Sequence, residues 1–121
     1  MATYDQLPVY KQCYDLLLAT FYLVNHFKRE YKYTLGERIK TEILNTLVNI
    51  YWANTHTDKT AALEKARHHL ELVRLYYRII KDLKQITMEK FIEINSLIES
   101  VSKQLYAWQR SEKKTATAGV T

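Results

Sequence analysis

Glycine and proline are nearly missing from this chain. Two glycines and one proline among 121 residues are too few for the turns of a β-sandwich or barrel of this size. The proline, Pro8, stands at the start of a helical pattern, where its missing N–H does little harm. A single cysteine, Cys13, excludes an internal disulfide, and its apolar surroundings mark it as a small buried hydrophobe. No apolar run reaches the roughly 18 to 20 residues needed to cross a bilayer. Residues 1–6 are polar and poor in basic side chains, unlike a secretory leader. The expectation is a soluble, cytoplasmic protein with no membrane role. Acidic residues are in deficit, 13 against 18 Lys and Arg, for a net charge of +5.

Catalytic signatures are missing as well. There is no glycine-rich phosphate loop and no Gly-x-Ser-x-Gly. Glu42 and Glu64 lie in helical patterns among basic neighbours, where surface pairing explains them. His68 and His69 are adjacent, so on a helix they point about 100° apart and cannot chelate one ion. His68 and Glu71 share a face, but in the order His-x-x-Glu, whereas di-iron bundles use Glu-x-x-His on two helices. One cysteine and no His-Glu-x-x-His leave no zinc spacing. His26 and His56 read as loop or helix-end residues. No catalytic residue, metal or cofactor is expected.

What the chain does carry is helical periodicity. Val9, Cys13, Leu16, Leu17, Val24 and Phe27 predict a first helix over about Leu7–Tyr31, with a break at Tyr33–Thr34. Leu35, Ile39, Ile43, Leu47, Ile50 and Tyr51 predict a second over Leu35–Asn54. Thr55–Asp58 supply turn and cap residues. Leu63, Ala66, Leu70, Val73, Tyr77 and Ile80 predict a third over Lys59–Lys84. Thr87 caps a fourth, with Glu89 in its first turn and a seam of Phe91, Ile94, Ile98, Val101, Leu105 and Trp108. Short loops make neighbours antiparallel, so the expected fold is all-α, an up-down-up-down four-helix bundle. It forms one domain over residues 1–112, followed by a flexible tail over 113–121.

The third helix holds two further signals. A second apolar edge, Leu72, Tyr76, Ile79 and Leu83, adjoins the first, and together they cover roughly 200° against the ~100° a core-facing helix needs. Either this helix is unusually central or the surplus meets another subunit; the expectation is self-association, with these residues at the subunit interface. On the other side Arg67, Arg74, Arg78 and Lys81 fall within a narrow arc. A solvated stripe paired with Glu71 explains such a row; so does contact with phosphates, which guanidinium groups grip with two hydrogen bonds. A ring of subunits would repeat the stripe and concentrate its potential. Arg38 and Lys40 form a secondary patch. Ten tyrosines suit helix interfaces and stacking on bases alike.

The segment Tyr33-Thr34-Leu35-Gly36-Glu37-Arg38-Ile39 follows a Lys/Arg/Tyr-rich turn at residues 28–32. It is succeeded by Leu72-Val73-Arg74-Leu75, Arg78, Lys81-Asp82-Leu83-Lys84 and Lys103-Gln104-Leu105-Tyr106-Ala107-Trp108. This succession resembles the accessory variability determinant proteins of diversity-generating retroelements. It is similar also to the four-helix-bundle proteins of ribosomal RNA intervening sequences. The likeness spans about Val9–Trp108, and Val48–Asn54 sits closer to the retroelement branch. The resemblance implies a non-enzymatic pentameric barrel with a basic surface that binds RNA or DNA and a reverse transcriptase. It also implies that Leu35, Gly36, Arg38, Arg74 and Arg78 matter, and that Gly36 is structurally required. By spacing alone, Gly36 reads as a plain helix N-terminal glycine near a tight turn rather than as a close-approach position. The alternative function is a protein–protein interaction module with no nucleic-acid role.

Overall fold

The computed structural model describes residues 3–120, with side chains through Thr115. A short 3-10 turn, Tyr4–Gln6, leads into α1 (Pro8–Val24); α2 (Arg29–Lys32), α3 (Leu35–Thr55), α4 (Thr60–Asp82) and α5 (Met88–Val120) follow. The four long helices form the bundle. Going round it, α1 packs on α3, α3 on α4, α4 on α5 and α5 back on α1, the order that short antiparallel connections produce.

The periodic residues named above supply the core. Val9, Cys13, Leu16, Leu17 and Val24 from α1 meet Ile39, Ile43, Leu47 and Ile50 from α3. Leu63, Ala66, Leu70, Val73, Tyr77 and Ile80 from α4 complete it with Ile94, Ile98, Val101 and Leu105 from α5. At the centre, Thr20 donates its hydroxyl to the Leu16 carbonyl at 2.8 Å, so the Tyr77 hydroxyl, 2.5 Å from Thr20 Oγ1, must donate to it. This diagonal α1–α4 bond satisfies both buried hydroxyls. Burial pushes the Tyr77 phenol well above its ordinary range and the Cys13 thiol up to about 12.

Two expected boundaries move by several residues. The first helix does not run to Tyr31. It ends at Val24, and Asn25–Lys28 turn the chain, with Phe27 folded back into the core, before the single turn of α2. One continuous helix would carry Phe27 past the first turn of α3; the turn returns it to apolar company. At the other end, α5 continues to Val120, through the segment expected as a tail. Ser111–Ala118 contain neither glycine nor proline, so nothing local stops the helix. Thr121 and the side chains beyond Thr115 lie outside the described residues.

The third expected helix stops at Asp82, two residues short of Lys84, while the cap expected at Thr87 is present. Gln85 N–H reaches the Ile80 carbonyl at 3.1 Å and Lys84 N–H the Lys81 carbonyl at 2.9 Å, the paired bonds of a Schellman motif. The left-handed position of that motif is occupied by Lys84, at φ 61°. Thr87 Oγ1 accepts from Lys90 N–H at 3.1 Å and caps α5. Gly36 is a close-approach position. A Cβ there would stand 2.5 Å from Val24 Cγ1 and 3.3 Å from the Tyr31 carbonyl oxygen. The glycine lets the end of α1 and the turn of α2 close on the first turn of α3.

Candidate nucleic-acid interface

The basic row of α4 does not stand free in solvent as a unit. Its members sit at the α4–α5 seam, and α5 meets most of them. Arg67 Nη1 donates to Gln109 Oε1 at 2.5 Å and lies 5.0 Å over the Tyr106 ring. Arg74 bridges Glu71, at 3.3 Å, and Glu99. Lys81 contacts Asp82 at 3.4 Å and lies 4.9 Å over the Phe91 ring. Arg78 alone in this row is exposed and has no carboxylate or ring partner among the described residues. The secondary patch divides in the same way. Lys40 is held by Glu37 at 2.9 Å and lies 4.7 Å over Phe21, whereas Arg38 is exposed and unpaired among the described residues. Arg38, near the start of α3, and Arg78, near the end of α4, stand at the same end of the bundle. So do Lys28 and Arg29, exposed in the turn before α3.

The second apolar edge of α4 is largely explained inside the single chain. Leu72, Tyr76 and Ile79 are half-buried, with Tyr76 packed on the core, and Leu83 remains exposed. His69 shares this row, and its Nδ1 lies 2.5 Å from Glu42 Oε2, which turns the row toward α3. The wide apolar arc of α4 arises because that helix packs most closely against α3.

Exposed apolar surface gathers instead on α1 and α3. Tyr14, Leu18 and Phe21 on one helix, and Leu44, Val48 and Tyr51 on the other, are between 37% and 53% exposed. The Lys40–Phe21 and Tyr4–Tyr51 ring contacts, the latter with centroids 4.9 Å apart, place these stripes along one antiparallel seam. Sequence reasoning missed this face. The signal was present as apolar residues flanking each core seam at i, i+4 and i+7, but the same pattern on α4 drew the attention.

No group of three or more His, Cys, Asp or Glu side chains among the described residues is arranged to hold a metal ion. No helix among them is long and apolar enough to cross a membrane. A family model described as bAvd-like matches residues 7–112. The chain belongs to the bAvd-like family. That match covers all four long helices of the bundle up to Glu112, including the Leu35-Gly36-x-Arg38 turn and the basic row of α4. No curated protein matches the chain. Membership in the bAvd-like family agrees with the resemblance read from residues 33–39 and from the order of the α4 and α5 motifs.

Proposed function

We propose that this bAvd-like protein is a non-enzymatic accessory protein that binds the sugar–phosphate backbone of RNA or DNA, as partner to a reverse transcriptase. The observation that carries the proposal is the pair of exposed guanidinium groups, Arg38 and Arg78, unpaired among the described residues, at one end of a bundle whose other α4 arginines are engaged. An unpaired guanidinium makes two hydrogen bonds to a phosphate without first giving up a protein partner. Lys81 and Lys40, each lightly paired, add to the surface. Arg67 and Arg74 contribute positive potential while tying α5 to α4. Such contacts recognise charge rather than base sequence.

The proposal includes a ring-shaped homo-oligomer, the pentamer that the family resemblance implies. The α1–α3 face offers a continuous apolar stripe to bury in it; Leu83, at the end of the α4 edge, is a lesser contributor. The same face also fits a second reading, a module that docks a protein partner and has no nucleic-acid role.

Fluorescence anisotropy with a labelled structured RNA and a matched DNA across a salt series tests the choice. The expected result is binding to both, with a log–log salt slope that becomes shallower by ~2 in the Arg38→Ala/Arg78→Ala variant, about one for each lost phosphate contact. Tight binding insensitive to salt, or no binding at low salt by a protein of unchanged mass, overturns the nucleic-acid reading and favours the second. Light scattering on Leu18→Glu tests the assembly: loss of mass with an intact helical spectrum is expected, and an unchanged oligomer removes the α1–α3 face from the interface.

A further inference from the structure

A groove of about 430 Å³ opens between the end of α1 and the α4–α5 turn. Its size lies within the ~300–1,000 Å³ range of small-ligand sites. Leu23 and Ile86, both packed on the core, line it with apolar surface. One wall is aromatic. Tyr22 is 66% exposed, and its ring lies 4.8 Å from that of His26 at an angle of 50°. His26 Nδ1 is 2.9 Å from the Tyr22 carbonyl oxygen. A carbonyl only accepts, so Nδ1 carries the proton and donates, which holds the imidazole beside the phenol. The other wall is cationic, with Lys84 and Lys90. Lys90 has Glu93 at 3.1 Å, whereas Lys84 is exposed and has no carboxylate partner among the described residues.

Lys84 also occupies a backbone position that glycine fills without strain. At φ 61° its Cβ crowds the backbone, so folding by itself favours glycine here. Resting on the nucleic-acid reading above, we infer that this groove holds one unstacked nucleotide of a single strand, its base against Tyr22 and His26 and its phosphate at Lys84. An aromatic wall accepts any base through its π-face, but only a base that is not already stacked in a duplex. The neighbouring Lys84 ammonium, without a carboxylate partner among the described residues, supplies the phosphate contact. Both elements are present within one groove, beside the end of the bundle that carries Arg38 and Arg78.

The test compares a labelled oligouridine decamer with a labelled 20-base-pair DNA duplex, each titrated with the full chain. Tyr22→Ala, which removes an exposed ring, is expected to weaken the decamer about tenfold, as loss of one stacked base does, and the duplex less than about twofold. Lys84→Gly is expected to move two readouts in opposite directions. It weakens the decamer severalfold while raising the melting temperature by about 2–5 °C, because the backbone strain is relieved. Decamer affinity unchanged in both variants, with binding still lost in Arg38→Ala/Arg78→Ala, overturns the groove and leaves the backbone-binding reading intact. Equal losses for decamer and duplex overturn base stacking. Failure of the wild-type chain to bind either probe at low salt overturns the nucleic-acid reading itself, and the groove with it.

Discussion

The α4–α5 seam and the α1–α3 face are built from the same kind of amphipathic helix, yet they leave opposite things unsatisfied. Along the first, cations find partners: Arg67 on Gln109 and Tyr106, Arg74 on Glu71 and Glu99, Lys81 on Asp82 and Phe91. Along the second, apolar side chains stay largely uncovered, and Tyr14, Leu18, Phe21, Leu44 and Val48 face outward. The sequence placed both the basic row and the surplus apolar surface on α4. The difference teaches that a helical wheel sorts residues by angle but does not say which angles a neighbouring helix will cover.

The largest break in this comparison lies beneath the seam. Ile98 is fully buried on α5, and Ile98→Ala is expected to lose about 2–5 kcal/mol of stability, read from urea unfolding. A loss under about 1 kcal/mol there would mean that α5 is a loosely docked strap. Next is Gly36→Ala, at the end of the α1–α3 contact. The added methyl meets Val24 Cγ1 and the Tyr31 carbonyl, so an overpacking loss of about 1–3 kcal/mol is expected, although alanine is the better helix former.

Alkaline pH probes the core that both regions share. Burial raises the folded-state pKa of Cys13 to about 12 and that of Tyr77 also upward. A group whose folded pKa is raised contributes stability that is fully present below its unfolded pKa and is lost as pH rises above it. Stability is therefore expected to be level near neutrality and to fall from about pH 9 upward, by up to ~1.4 kcal/mol per pH unit for each such group. Melting curves between pH 7 and 11 check this, and Cys13→Ala should flatten the onset. The smallest effect sharpens the comparison directly. Arg74→Ala, at a partly exposed pair, is expected to lose about 0.2–1 kcal/mol, whereas Arg78→Ala should be near neutral in stability and weaken nucleic-acid binding more. Equal effects of the two on both readouts would erase the distinction between engaged and free arginines.

Much of the fold was legible in the residues. Most side chains assigned to a core seam are buried, with Leu35, Phe91 and Trp108 half-buried and Tyr51 exposed, because the 3.6-residue period and the burial of apolar surface express the same geometry. Thr87 as a cap was readable too, since capping is local. The turn after Val24 was not: the apolar period runs on through Phe27, and the break exists because Phe27 returns to the core while Gly36 admits the end of α1 and the turn of α2. The candidate site was legible in residue type and illegible in availability. Arg38 and Arg78 look no different in sequence from Arg67 and Arg74, since a free guanidinium and an engaged one differ by what another helix brings to them.

Sequence by itself determined the helices, their antiparallel order and the apolar core, because these follow from local periodicity and short connections. Only the tertiary structure decided which charges remain available, where apolar surface is left over, and that Tyr22, His26 and Lys84 share one groove. These properties belong to pairs of elements distant along the chain, and they come into being when the elements pack.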